Sequence, residues 1–303
     1  MLTYLQAIIL GLVQGVTELF PVSSLGHSVL IANLFGWDRG KTPLTGSDAF
    51  INLLVMMHVA TAIALIIFYR KEWVRIVSGF IRSVKAKDLT VDTDAKLAWL
   101  LLAATVPAGL IGVVFEHKLR TVFATAFFAI VFIIINGIML IKGDKLVTQA
   151  ELDRPRRRPT EAADELSVAK TARLVSGHLT FGRAILIGVA QIGALFAGIS
   201  RSGITMLAGL RSGLTHQDAA RFSFLLATPI ILAAGIYKLP SVLSSHTAFG
   251  PIVVGSLLSG IAAYISVRYL DRYFQGKSLR PFGWYCIAFG VFMLLVGIIR
   301  GAS

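Results

Sequence analysis

Gln14-Gly15-Val16-Thr17-Glu18-Leu19-Phe20-Pro21-Val22-Ser23-Ser24-Leu25-Gly26-His27 interrupts an apolar region that runs from about residue 2 to residue 34. Each flanking half is short against the ~20 residues that cross a bilayer. A helix–loop–helix hairpin that enters partway is therefore expected. Polar, non-helical backbone at membrane depth is tolerated only where protein or a water-filled cavity surrounds it. A second apolar region, near 184–213, is broken in the same manner by Gly198-Ile199-Ser200-Arg201-Ser202-Gly203. Shifting the sequence by 177 residues aligns Gly11 with Gly188, Gln14 with Gln191, Ser23 with Ser200 and Gly26 with Gly203. Four identities in 19 positions carry little weight alone, but the shared Gly-x-x-Gln spacing before a Ser-containing, Gly-punctuated break carries more.

Between and after the breaks lie six uninterrupted apolar runs, near 50–69, 97–115, 122–141, 222–239, 249–270 and 282–300. Hydrophobic residues make up 55% of the 303-residue chain and charged residues 15%, against roughly 25% charged in soluble domains. Mean hydropathy is +0.75. A soluble enzyme, a disordered chain and a fibrous protein are excluded. Continuous blocks without period-two alternation also fit a β-barrel poorly. The expected fold is an all-α polytopic membrane protein with six transmembrane helices and two re-entrant hairpins. Each break is followed by three spans, an odd number, so the second copy is expected to be inverted relative to the first. The expected units are repeat one at 1–141, a cytoplasmic loop at 142–183 and repeat two at 184–303. Inverted repeats place a site where discontinuous helices meet near the midplane, and exposed helix N-termini there suit an anion.

The loops 70–96, 142–183 and 271–281 hold 19 Lys and Arg, against five on the other side: Arg39, Lys41, Lys118, Arg120 and Arg300. The positive-inside rule makes the richer side cytoplasmic, with both termini outward. That bias accounts for the net charge of +13, so no nucleic-acid partner is expected. The 142–183 segment, with Arg154-Pro155-Arg156-Arg157-Arg158-Pro159 followed by Glu161, Asp164 and Glu165, reads as a solvated loop with an orienting charge cluster. The single cysteine, Cys286, lies in an apolar run and reads as a small buried hydrophobe. No basic stretch precedes the first apolar region, so a cleavable signal peptide is not expected.

Few residues in the apolar part can do chemistry. Gln14 and Glu18, four apart, share a helix face. An ionisable residue such as Glu18 within a membrane segment is a functional candidate by default. Ser23, Ser24 and Gly26 let backbone N–H groups approach a ligand, and His27 offers a nucleophile or a proton shuttle. Arg201 has a fork that matches phosphate, with Ser200, Ser202 and Thr205 as hydroxyl donors. A structural pairing of Arg201 with Glu18 is the competing reading. For His58, in Met56-Met57-His58-Val59-Ala60-Thr61, packing and support of the site weigh equally. His-Glu-x-x-His, Walker A, Gly-x-Ser-x-Gly and Cys-x-x-Cys patterns are absent, against zinc proteases, P-loop ATPases, α/β-hydrolases and thiol redox enzymes.

The 14–27 run closely resembles the first motif of the undecaprenyl-diphosphate phosphatase family of the bacitracin-resistance type. Ala197-Gly198-Ile199-Ser200-Arg201-Ser202-Gly203-Ile204-Thr205 resembles its second, with support from 58–70 and from Phe222-Ser223-Phe224-Leu225-Leu226-Ala227-Thr228-Pro229. The resemblance implies hydrolysis of undecaprenyl diphosphate to the monophosphate carrier at the outer face of the bacterial inner membrane. It implies that Glu18 and Gln14 help hold the diphosphate or a divalent cation, Mg or Ca, with Glu18 as metal ligand. It implies that Ser24 and His27 serve attack and proton transfer, with the nucleophile left open between them. Arg201 would clamp phosphate with Ser200, Ser202 and Thr205, and Ser23 would contact substrate. The implied partners are the polyprenyl diphosphate and membrane lipids, and a homodimer is admitted. Three positions depart from the pattern: Gln14 where Glu is frequent, Ala197 where Pro is usual, and Arg221 where Glu is frequent. A polyprenyl-phosphate transporter is the alternative, since an inverted repeat around an intramembrane anion site is also a transporter plan.

Overall fold

A computed structural model gives the fold of the chain and describes residues 2–38, 43–123, 125–152, 177, 179–244 and 249–301. Regular structure among these residues is helical. The helices are α1 (Tyr4–Thr17), α2 (Ser24–Leu34), α3 (Asp48–Phe68), α4 (Arg70–Ala86), α5 (Thr93–Phe123), α6 (Ala126–Leu152), α7 (Phe181–Ala190), α8 (Arg201–Arg211), α9 (His216–Ser244), α10 (Phe249–Tyr273) and α11 (Arg280–Gly301), with a 3₁₀ turn at Gln191–Leu195. Six helices contain stretches long and apolar enough to cross a membrane: Asp48–Phe68, Thr93–Phe115, Ala126–Val147, His216–Ser244, Phe249–Tyr273 and Arg280–Gly301. The chain is a multi-pass membrane protein.

The two broken regions form pairs of short helices. Thr3 opens α1 with a capping box shared with Gln6, and Thr180 opens α7 by accepting the Arg183 N–H. Each pair closes on itself at its turn and packs through small residues. A Cβ at Gly11 would run into the Gly255 carbonyl of α10, and one at Gly188 into the Ala104 carbonyl of α5. The α1–α10 and α7–α5 contacts thus bring backbones together at the same offset in each pair. The far ends of α7 and α8 meet where Arg183 Nη1 donates to the Ser212 carbonyl, 3.2 Å. The far end of α2 meets α11 where Arg300 Nη1 donates to the Leu34 carbonyl, 2.7 Å.

Two expected boundaries shift. The 70–96 stretch is not simply a loop: Arg70–Ala86 is helical, with Val74, Val77, Ile81 and Val84 exposed along one stripe. Spacing of three and four builds an amphipathic helix that suits a bilayer interface. The third span begins at Ala126 and its helix continues to Leu152, so the start of the 142–183 segment is helical. Asp144 makes the continuation worthwhile, since its buried carboxylate accepts from the Leu279 N–H and lies 2.7 Å from His216 Nε2 and 3.2 Å from Arg280 Nε. The Arg154–Pro159 cluster and its acidic neighbours lie outside the described residues. Cys286 is fully buried and takes a hydrogen bond from Asn136 Nδ2 at 3.4 Å, as a small core residue.

Candidate active site

The two turns touch each other in the middle of the molecule. Gly198 has φ +117°, a conformation that side chains resist, and a Cβ there would also meet the Ala129 carbonyl and Phe132. This glycine lets the second turn pack closely on α6, and a Cβ at Gly26 of the first turn would meet it at 3.0 Å. Its N–H donates to Ser23 Oγ at 3.1 Å. Ser23 itself sits at φ +75°, a strained backbone for a residue with a Cβ, costing of order 1–3 kcal/mol. Asn136 of α6 ties the turns together: its Nδ2 donates to the Pro21 carbonyl and its Oδ1 accepts the Ser200 N–H, both at 3.0 Å.

Glu18 caps the end of α1, is 7% exposed, and gathers four side chains. Arg201 Nη2 donates to Oε1 at 2.8 Å. Ser24 Oγ donates to Oε2 at 2.5 Å and Gln14 Nε2 donates to the same oxygen at 3.0 Å. His58 Nε2 lies 3.2 Å from Oε2, while its Nδ1 is 2.7 Å from the Leu54 carbonyl. A carbonyl only accepts, so Nδ1 carries a proton. Both ring nitrogens face acceptors, and an imidazole that donates to both is a cation. Arg201 keeps a second arm in reserve: Nη1 is buried and has no hydrogen-bond partner among the described residues.

A cavity of about 300 Å³ opens in front of this group. Thr17, Glu18, Ser23, Ser24, His58, Gln191, Ser200 and Arg201 form its polar part, and residues such as Leu54, Val55, Ala108, Leu195, Ile230, Ile231 and Ala234 its apolar walls. Counted from the basic segments 70–96, 142–183 and 271–281, the wall residues of α3, α5 and α9 lie at the middle of their helices (Ala108, Ile230) or beyond it (Leu54, Val55, Ile231, Ala234). At the basic end the helices are clamped instead, by the Asp144 cluster and by Arg221 on Asp271 at 2.8 Å.

The residues singled out in the sequence divide into three groups. Glu18, Ser23, Ser24, Ser200 and Arg201 reach the cavity, and Gln14 acts on it through Glu18. Ser202 and Thr205 are buried behind it: Ser202 Oγ donates to the Phe20 carbonyl and Thr205 Oγ1 pairs with Ser223 Oγ. His27 faces away. Its Nδ1 is 2.7 Å from the Ser23 carbonyl and its Nε2 2.9 Å from Tyr285 Oη, with the ring stacked on Phe289 at 4.5 Å. With a proton on Nδ1, Nε2 accepts from the tyrosine, which is a neutral, fully satisfied histidine. The histidine that reaches the cavity is His58. Arg221 is also absent from the cavity; Asp271 compensates its charge in a two-pronged pair, Nε to Oδ1 and Nη2 to Oδ2.

A single carboxylate whose oxygens are already held by a guanidinium, an imidazole, an amide and a hydroxyl does not make a metal cage. Among the described residues no group of three or more His, Cys, Asp or Glu could hold an ion.

Fold and site define a class: polytopic membrane proteins with a buried, cation-flanked carboxylate and serine beneath a cavity walled by the spanning helices. The chain belongs to the bacitracin resistance protein BacA family, whose model matches residues 7–292. It is 45% identical to an undecaprenyl-diphosphatase of Mycolicibacterium paratuberculosis, covering 95% of each chain. It is 43% identical to undecaprenyl-diphosphatase 2 of Frankia alni, covering 95% of this chain and 96% of that one. Identity to undecaprenyl-diphosphatase 2 of Chromobacterium violaceum is 41%, over 97% and 99%.

Proposed function

We propose that this chain is an integral-membrane phosphatase that hydrolyses undecaprenyl diphosphate to undecaprenyl phosphate and inorganic phosphate, the step that recycles the cell-wall lipid carrier and underlies bacitracin resistance. The observation that carries the reading is the Ser24–Glu18–Arg201 chain of hydrogen bonds at the floor of the cavity. Ser24 Oγ attacks the terminal phosphorus and its proton passes to Glu18 Oε2, the oxygen it already touches. The bond from that phosphorus to the bridging oxygen breaks, and undecaprenyl phosphate leaves. Water then cleaves the phosphoserine, its hydroxyl going to phosphorus and its proton to Ser24 Oγ, and the proton held on Glu18 leaves with the released phosphate. Arg201 binds the terminal phosphate with its unpartnered Nη1, and α8, which Arg201 opens, adds its N-terminal dipole. His58 supplies a second positive charge beside Glu18, so the resting site holds two cations against one anion and favours a further anion. Within this scheme His27 braces the first turn. The serine–carboxylate pair favours hydrolysis over transport, which needs no nucleophile.

The cavity faces the outer side. The basic-segment bias and the clamped ion pairs at the basic end support that orientation, as does the position of the cavity walls. The two short-helix pairs are re-entrant and related by an inverted repeat. Support comes from the reciprocal packing of α1 on α10 and α7 on α5, and from ties of their open ends to opposite ends of the spans. Glu18, with both oxygens already engaged, is not the ligand of a resident divalent cation, and protein-bound metal measured after exhaustive dialysis tests this.

The direct test is phosphate release from undecaprenyl diphosphate by purified protein in detergent. Wild type should release phosphate and Ser24→Ala should not, while still binding the lipid. Lipid binding without phosphate release by wild type would overturn the reading.

A further inference from the structure

At the basic end of the molecule, where α10 leaves the apolar layer, Arg268, Tyr269, Arg272, Tyr273 and Lys277 line a cleft of about 460 Å³, with Ile265 at its apolar edge. The three cations share one cleft, which the other exposed lysines of this end do not line. Arg75, Arg82, Arg221 and Arg280 each sit on an aspartate. Arg268, Arg272 and Lys277 are exposed and have no carboxylate or hydrogen-bond partner among the described residues. Asp271, their nearest acid in sequence, is turned away onto Arg221 and Tyr69. One cation in the last turn of α10 would balance the helix dipole; three around one cleft exceed that need.

The cleft is also preformed. Tyr269 stacks on Phe20 with centroids 6.0 Å apart, and Tyr273 packs edge-on against Phe282 at 5.1 Å. Tyr273 Oη donates to the Ser278 carbonyl, fixing the turn that carries Lys277, whose Nζ lies 5.3 Å over the Tyr273 ring. Residues 265, 269 and 273 are four apart and make an apolar and aromatic strip along the helix, leading from the cations into the lipid-facing surface.

We propose that this cleft binds the phosphodiester headgroup of an anionic phospholipid from the leaflet met by the basic end. The phosphate lies between Arg268, Arg272 and Lys277, and an acyl chain lies along Ile265 and Tyr269. Guanidinium pairs suit a phosphodiester, and basic clusters at the membrane surface are attracted to anionic lipids. The site is separate from the cavity beside Glu18 and takes no part in the hydrolysis.

Retention of phosphatidylglycerol against phosphatidylcholine by the detergent-purified protein, read by native mass spectrometry, tests this. Wild type should hold phosphatidylglycerol about 10-fold more strongly than phosphatidylcholine or better. Arg268→Gln/Arg272→Gln/Lys277→Gln should lose that preference and still release phosphate from undecaprenyl diphosphate within about two-fold of wild type, showing an intact fold. Lys71→Gln/Lys85→Gln/Lys87→Gln, an equal charge change on other exposed residues of the same end, should keep the preference. If the first triple variant does not fold, Arg268→Gln/Arg272→Gln is read in its place. The proposal is overturned by undiminished preference in the cleft variant, by equal loss in the control, or by displacement of the lipid with millimolar inorganic phosphate. The last result would mark a soluble-anion site.

Discussion

In the first hairpin Ser23 caps α2 and accepts the Gly26 N–H; 177 residues on, Ser200 caps α8 and accepts the Gly203 N–H. Gln14 and Gln191 stand at matching places before the two turns. Yet Gln14 donates to the Glu18 carboxylate, while Gln191 donates to the Ala104 carbonyl at 3.0 Å. The first turn carries a carboxylate, a serine hydroxyl and strained backbone at Ser23; the second carries a guanidinium and a relaxed cap at Ser200, φ −81°. The repeated positions are those that build the two turns. The positions that differ are those that hold charge. One copy brings the carboxylate and a serine hydroxyl, the other the guanidinium, and the hydrogen bonds at the cavity floor need both.

The largest effects belong to the first turn. Ser24→Ala and Glu18→Gln should each lower kcat by about 10⁴-fold, and the double variant by little more, because groups acting as a unit are not additive. Additive losses in the double variant would mean that serine and carboxylate act independently. The second turn comes next. Arg201→Ala should cost about 10³-fold in kcat/KM, and Arg201→Lys about 10²-fold, since lysine keeps the charge but not the fork. Removing one member of a buried pair is also destabilising, by about 3–5 kcal/mol, so the variants need a folding control. If Arg201 serves only Glu18, then Glu18→Gln/Arg201→Met should fold as wild type does and Arg201→Lys should fold poorly. If Arg201 serves substrate, well-folded Arg201→Lys protein should show the loss in turnover assays.

Two histidines sharpen the comparison further. His58→Gln should lower kcat/KM by about 10-fold, through loss of one of the two cations beside Glu18. His27→Gln should change it by no more than about three-fold, while lowering the unfolding temperature through the lost Tyr285 hydrogen bond. A reversal, with His27→Gln the more damaging in turnover, would move the proton chemistry to the packed side of α2.

The pair also shows what sequence can and cannot convey. Glu18, Ser24 and Arg201 stand out because a polar or ionisable group in a broken apolar run has no cheap structural excuse. His27 stands out for the same reason, but its distance from Ser24 along the chain says nothing about which side of α2 faces the cavity. His58 lies in an unbroken span where packing and support of the site weigh equally in the sequence, and the approach of α3 to the end of α1 is what brings it to Glu18. Asn136 is hidden likewise: a lone amide in α6 reads as tolerated polarity until two turns are found on its two ends. The six spans were legible from hydropathy. The α4 helix was not, because its charges outweigh its apolar stripe in any window average.

The smallest effect concerns Arg221, at a position where the resemblance leads one to expect Glu. If the electrostatics of the site were spread through the molecule, that reversal would matter to turnover. It is instead absorbed locally, by Asp271 with both oxygens engaged and Tyr69 Oη donating at 3.3 Å. Arg221→Gln leaves Asp271 a partly buried, underpaired carboxylate and should cost about 2 kcal/mol of stability, less than a fully buried pair. Arg221→Gln/Asp271→Asn removes both charges and should recover most of it. Turnover per folded molecule should stay within about two-fold in both. Thermal unfolding and phosphate release measured on the same preparations separate the two quantities. A turnover loss that persists in the stable double variant would show that charge outside the two turns reaches the reacting phosphate, and that the division of labour between them is incomplete.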